Sequence, residues 1–257
     1  MKCWIITKKQ IMLGISLLAA AAVLVGSLAV FAGGDRQLPI YCVQTEEKKI
    51  AISFDAAWGN DDTQTLIDIL HEYNVPATFF VVGAWVDKYP ESVKQLSDAG
   101  MQVMNHSNTH PYMSKLSTSQ IQQEISDCNQ KIAAITGREP TLFRPPYGDY
   151  DNHVVETVRQ MGMEPIQWSV DSLDWKDSAT PESICERVTQ KVRPGSIVLF
   201  HNDATYTPKA LSSILKCLQD QGYEFVMIDD LICHGPYTLD HSGMQIPATD
   251  SGSSQTS

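Results

Sequence analysis

Positive charge is scarce in this 257-residue chain: 19 lysines and arginines stand against 30 aspartates and glutamates, for a net charge of -11. Such a surface repels phosphate backbones and anionic lipid, which excludes nucleic-acid binding through a basic face. Glycine and proline are held to 15 and 13 residues, and the chain is 19% charged and 43% hydrophobic. That balance excludes collagen-like repeats, wholesale disorder and a coiled coil, and leaves a globular chain with one sizeable core or two small ones. Internal repeats, C-x-x-C pairs and an H-E-x-x-H helix are also missing. A cysteine-built metal site and a common type of metallopeptidase are thereby disfavoured.

Charge is absent altogether between Ile11 and Ala32. At 1.5 Å per residue this stretch reaches about 33 Å as a helix, enough to cross a bilayer core. Lys2, Lys8 and Lys9 precede it and Asp35 follows it, which directs the N-terminus to the cytoplasm and the rest outside. The reading is a transmembrane helix through residues 11-32; a secretory signal cleaved after Val30-Phe31-Ala32 is its rival. Either way the following domain is extracytoplasmic, membrane-anchored in the first case and secreted in the second. Cys42, Cys128, Cys185, Cys217 and Cys233 fall in that domain, and five cannot all pair. Buried free thiols are expected, with one or two disulfides as the alternative.

What remains divides into a linker at 35-47, one folded domain at 48-233 and a flexible tail at 234-257, rich in Ser, Thr and Gly from Thr249 onward. Strand-like runs occur at Ile50–Phe54, Ala77–Val82, Met101–Asn105, Thr141–Arg144, Pro165–Val170, Ser196–His201 and Glu224–Ile228, with an edge strand at Ile40–Val43. Helix-period segments lie between them, at about 62–73, 84–99, 118–136, 150–161, 180–192 and 207–221. Asn60 or Asp61 can cap the first helix, and Gly100, Gly137 and Gly222 stand where helices end. This alternation predicts an α/β fold with a parallel sheet, curled into a distorted, incomplete (β/α) barrel.

Titratable residues gather at the carboxyl ends of those strands: Asp55, His106 and His110, Arg144, Asp171 and Asp174, and His201. In a parallel α/β barrel these ends converge on one mouth, where chemistry is done. His106 and His110, four residues apart, can aim two nitrogens at one ion, a spacing found in zinc sites; two unrelated histidines are the plainer alternative. In Arg144-Pro145-Pro146-Tyr147-Gly148 the prolines stiffen the chain, and the amides around Tyr147 become oxyanion candidates. A rigid turn with a solvated Arg144 is the competing account. Asp171 or Asp174 beside His201 would keep an imidazolium charged and able to donate a proton.

The ordered set Ser53-Phe54-Asp55, His106-Ser107-Asn108-Thr109-His110, Arg144 to Gly148, Asp171-Ser172-Leu173-Asp174-Trp175 and Leu199-Phe200-His201 resembles the five motifs of the polysaccharide deacetylase family. This family is also called NodB-homology or carbohydrate esterase family 4. Pro76 to Phe80 and Gly83 fit as well, so the likeness runs through residues 48 to 233. The apolar N-terminus and the Ser53 to Gly59 segment look most like sporulation-type deacetylases. The resemblance implies removal of N-acetyl groups from a polysaccharide such as peptidoglycan or a chitin-like glycan, with a divalent metal, commonly zinc, and no partner chain beyond the monomer. It makes His106 and His110 metal ligands, Asp55 the general base, Arg144 its orienting group, and His201 the general acid supported by Asp174. The Tyr147 amide would stabilise the oxyanion, while Trp175, Leu199 and Pro145 would line the acetyl pocket.

One position departs from the family pattern. The residue after the base is normally a second aspartate and the third metal ligand; here it is Ala56, followed by Ala57 and Trp58 in place of glycine and proline. Catalytic zinc commonly has three protein ligands and a water, so a pair of histidines should hold it less tightly. Asp61 or Asp62 could reach in, since an extended chain from Ala56 covers up to about 17 Å by Asp61, although both also suit the start of a helix. Two expectations follow: an active N-deacetylase, or a catalytically weak relative that binds glycan.

Overall fold

The computed structural model describes residues 36–248. The apolar stretch at 11–32 and the end from Thr249 lie outside them. Among the described residues no helix is long and apolar enough to cross a membrane.

The central strand is β2, Lys49–Ala56, whose residues from Ile50 onward are all buried. An apolar run closed on both faces is what a parallel sheet between helix layers demands. β2 is flanked by β3 (Ala77–Val81) and β8 (Ile197–His201); β4 (Gln102–Asn105), β5 (Leu142–Phe143) and β6 (Glu164–Pro165) continue on one side, and β7 (Val170–Asp171) ends the other. Neighbours pair in parallel throughout, and β9 (Glu224–Phe225) adds to the start of β2. The sheet curls into a half-barrel, as the α/β alternation predicts.

Strand alternation sorts β2 between two apolar regions. Ile50, Ile52, Phe54 and Ala56 pack outward with Leu66, Leu70, Leu211 and Ile214 of the covering helices α1 (Thr63–Glu72) and α7 (Thr207–Asp220). Ala51 packs with Phe80, Met104, Leu142, Ile166 and Ile197. Ser53 and Asp55 share the face of Ala51, which brings a carboxylate into the concave side of the sheet. The remaining helices are α2 (Gly83–Lys88), α3 (Pro90–Asp98), α4 (Thr118–Thr136), α5 (Asn152–Gln160), α6 (Pro181–Lys191) and the short α8 (Ile228–Leu231). α4 ends where expected, at Gly137, whose φ of 70° is costly for any residue with a Cβ.

Several expectations need correction. The helix foreseen over 84–99 is two helices, because Pro90 offers no N–H to continue the first. The run Pro165–Val170 is not one strand: β6 joins β5 while β7 joins β8, so residues 166–169 cross between the opposite edges of the curled sheet. Glu224–Ile228 shortens to two residues before α8 starts. The helix-capping role falls to neither Asn60 nor Asp61; Asp62 occupies that position and makes no side-chain cap bond. The stretch from 234, expected to be a flexible tail, is ordered to 248: β10 (Tyr237–Leu239) and β11 (Met244–Pro247) pair, and β11 runs beside β1 (Cys42–Val43). Buried Gln245 fastens it, exchanging bonds of 2.7 and 2.9 Å with the Cys233 backbone. All five cysteines of the domain are free, but only Cys128 is buried.

Candidate active site

Asp55 and His201 are register partners on β2 and β8, and both open into one cleft of about 410 Å³. His106, His110, Tyr147, Leu199, Trp175, Trp168, Asp171, Ala57 and Trp58 complete its wall. The predicted residues therefore converge, with Arg144, Asp174 and Pro145 standing behind the lining.

Arg144 is fully buried, contrary to the account in which it is solvated. Its Nη1 donates to Asp55 Oδ1 at 2.7 Å, and Nη2 donates to Ser53 Oγ at 2.9 Å and to the Gln167 carbonyl at 3.2 Å. The guanidinium lies 4.0 Å from the centre of the Phe80 ring. Burial pushes the Asp55 carboxyl up, but the Arg144 charge and the nearby imidazoles outweigh it and hold the pKa below its usual value. Asp55 is thus a fixed anion. Its second oxygen, Oδ2, stands 3.5 Å from His106 Nε2.

His106 Nδ1 donates to the Arg144 carbonyl at 2.7 Å, which leaves Nε2 as the lone-pair nitrogen. Burial lowers the pKa of His106 and takes His110 down to about 4, so both rings are neutral at pH 7. The loop that carries them is tied from α4: the Glu124 carboxylate accepts from the amides of Asn108 and Thr109 at 2.9 and 2.8 Å, and from Thr109 Oγ1 at 2.7 Å. Asn105 Oδ1 accepts from the Ser107 amide at 2.7 Å, and Ser107 Oγ from the His110 amide at 3.0 Å. Neither Glu124 nor Asn105 carries a sequence signal beyond an ordinary helix face and strand end.

Asp174 is buried and serves His201 twice: Oδ1 accepts from the ring Nδ1 at 2.8 Å and Oδ2 from the backbone amide at 2.8 Å. Thr207 Oγ1 adds a third bond at 2.7 Å. Burial opposes a charge on His201, yet Asp174 prevails and raises its pKa. Asp171, the other candidate carboxylate, instead caps its own turn by accepting from the Leu173 amide at 2.8 Å.

Backbone strain collects here. Ser107, His110, Tyr147, Leu173 and Asp203 have φ between 55° and 67°, leaving only Asn74 elsewhere among non-glycine residues described with positive φ. Each costs about 1 kcal/mol or more, a burden tolerated where side-chain placement matters. Pro145 is a correction: it is buried and does not line the cleft. Neither Asp61 nor Asp62 fills the place left by Ala56, since Asp61 is exposed and Asp62 Oδ2 accepts from the Asp203 amide at 2.8 Å. Trp58, missed as a site residue, stacks on His201 with ring centres 5.4 Å apart.

For a divalent ion the neutral rings of His106 and His110 fit as two ligands. No group of three His, Cys, Asp or Glu residues able to hold an ion occurs among the described residues, and Ala56 belongs to an apolar cluster. The donor set is a two-imidazole seat, one ligand short of the common catalytic zinc site.

An anion locked to arginine, an imidazole whose proton Asp174 favours and two neutral imidazoles, all at the carboxyl mouth of a parallel half-barrel, define a hydrolytic α/β barrel. The chain belongs to the polysaccharide deacetylase family, whose model matches residues 43–166. It is 33% identical over 195 residues to a Bacillus subtilis peptidoglycan-N-acetylmuramic acid deacetylase, across 75% of this chain and 74% of the relative. A Listeria monocytogenes peptidoglycan-N-acetylglucosamine deacetylase is 39% identical over 184 residues, 72% of this chain but only 39% of that protein. The solved CE4 family pseudoenzyme from Bacillus anthracis is 35% identical with a TM-score of 0.73, covering 76% of this chain and 68% of that one. A mutant of that pseudoenzyme with restored enzymatic activity matches equally well in TM-score, 0.73, at 36% identity over 76% and 71% of the two chains.

Proposed function

We propose that this protein is a metal-dependent N-deacetylase of a cell-wall glycan, peptidoglycan or a chitin-like polymer, acting outside the cytoplasm from a membrane anchor at residues 11-32 and serving sporulation. The observation that carries the reading is the in-register placement of Asp55, held as an anion by Arg144, beside His201, whose pKa Asp174 raises, in one cleft. His106 and His110 would hold the ion, zinc by preference, which when bound polarises the acetamide carbonyl and acidifies a water. Asp55, kept anionic by Arg144, accepts the proton from the attacking water. His201, charged through Asp174, donates a proton to the departing sugar amine. The Tyr147 amide, turned by a φ of 59°, is the donor offered to the tetrahedral oxygen. Leu199 and Trp175 surround the acetyl group.

A second reading rests on Ala56: a family member that holds glycan with little turnover, in keeping with its likeness to a pseudoenzyme. Acetate release from peptidoglycan and chitooligosaccharides in excess zinc or cobalt separates the two. Turnover that disappears in both Asp55→Asn and His201→Ala supports the enzyme. Zero acetate at full metal loading supports the binder.

A further inference from the structure

Among the described residues the exposed large apolar side chains are Trp58, Tyr112, Tyr147 and Trp175, each between 51% and 59% open. A soluble surface seldom leaves aromatics so open unless something covers them. Tyr147, Trp58 and Trp175 line the cleft itself, and Tyr112 stacks on Tyr147 at 4.4 Å with the planes 18° apart. Tyr147 in turn meets the edge of His110 at 4.5 Å, and His110 meets His106 at 5.0 Å. Trp58 is seated on the other catalytic element, its ring stacked over His201. Trp58 and Trp175 also line an adjoining depression of about 390 Å³.

Each of the two outer rings is therefore braced by a site residue: Tyr112 through Tyr147, beside the imidazole pair, and Trp58 through His201, beside the acid. A rigid aromatic ring with an uncovered face suits the apolar C–H face of a pyranose, whose hydroxyl edges stay in water. The two platforms belong to different elements, the loop before the 3-10 turn Met113–Lys115 and the loop after β2. Neither ring stacks directly on His106 or is in the pair that would hold the ion.

We propose that Trp58 and Tyr112 are two sugar-stacking platforms flanking the reaction centre, which grip residues on both sides of the scissile acetamide and hold an N-acetylated glycan chain whether or not the ion is bound. This deepens the proposed function by assigning the residues that select a chain over a single sugar. It rests on that reading for the ligand class but not for turnover.

The test is calorimetric titration of the full-length protein with tetra-N-acetylchitotetraose and with N-acetylglucosamine, in EDTA and again in zinc. The tetramer should bind in EDTA at least tenfold more tightly than the monomer. Trp58→Ala and Tyr112→Ala should each weaken the tetramer about tenfold, equivalent to ~1.4 kcal/mol, with little change for the monomer. Trp58→Phe and Tyr112→Phe should restore most of the binding, and far-UV circular dichroism checks that every variant is folded. The proposal is overturned by tetramer affinity unchanged in the alanine variants, by binding that vanishes in EDTA, or by phenylalanine variants as weak as alanine. Failure of the deacetylase reading has a separate signature: tetramer binding that follows these expectations with no acetate released in zinc.

Discussion

Asp55 and His201 face the same cleft from directly paired positions on adjacent parallel strands, and each is backed by a buried partner of opposite charge. Arg144 keeps the first an anion, and Asp174 raises the proton affinity of the second. Two groups with opposed proton affinities are thus poised without touching each other's partner. This division of labour is what transfer of a proton from water to a leaving amine requires.

The Arg144–Asp55 pair is buried on both sides, with Arg144 fully enclosed. Arg144→Met leaves a carboxylate without its counter-charge and should cost about 3–5 kcal/mol in urea unfolding at pH 7. Asp55→Asn combined with Arg144→Met should recover part of that loss. A double variant no more stable than Arg144→Met would show that the pair is not the source of the cost.

In the proposed mechanism His201 sets the alkaline side of the pH profile. Its folded-state pKa lies above the unfolded value, so its protonation favours the folded state fully below the unfolded value, and the gain fades as pH rises through the folded one. The proposed mechanism needs this ring charged and Asp55 ionised, and the Asp55 pKa is lowered. kcat/KM should therefore fall on the alkaline side with the His201 pKa. Asp174→Asn should move that limb to lower pH, toward or below the ordinary histidine range, and remove the matching pH dependence of stability. An alkaline limb that does not move in Asp174→Asn would assign it to another group.

Asp62 shows the opposite economy. Burial raises its pKa from 3.8 to about 6, and its Oδ1 has no hydrogen-bond partner. The raised value means that the protonated form suits the fold, and stability is lost as pH climbs from about 4 through 6. The shift corresponds to roughly 3 kcal/mol, reduced to about 1 kcal/mol because the residue is only partly buried. Asp62→Asn keeps an acceptor for the Asp203 amide and should raise Tm at pH 8 by a few degrees, with no gain at pH 4. Equal effects at both pH values would show that ionisation is not involved.

Much of this was legible in the sequence because buried parallel strands leave a strong mark. Ile50 to Phe54 is apolar but for Ser53, and Ile197 to Phe200 is wholly apolar, so the titratable residues Asp55 and His201 that follow them stand out. Glu124 gives no such mark: it sits on a largely polar stretch of helix and reaches the loop of His106 and His110 only after the chain has folded back. Trp58 is equally silent, since its meaning lies in stacking on a residue 143 positions away, and sequence distance carries no contact information. The split of residues 165–170 escapes detection for a related reason. Its two halves look like one strand and separate only because the curled sheet offers them different edges. β10 and β11 are only three and four residues long, too short for an alternating period to register, and Gln245 ties β11 to the Cys233 backbone through contacts that sequence order does not announce.

In the proposed mechanism Ala56 is the position on which catalytic strength turns. It is the last residue of β2, and alternation places it with Ile52 and Phe54 in the apolar cluster rather than beside Asp55. A carboxylate there must either bend round the strand end to the imidazole pair or remain buried without a partner. Ala56→Asp should accordingly lower stability by about 1–3 kcal/mol in EDTA, the cost of an uncompensated polar group. Zinc should reverse the loss, because an ion that binds only the folded form stabilises it, and a third protein ligand should tighten zinc at least tenfold in calorimetry. Acetate release should rise in parallel if metal occupancy limits the wild-type protein. Destabilisation that zinc does not relieve, with affinity unchanged, would mean that the side chain at 56 stays in the apolar layer and that the third ligand must come from elsewhere.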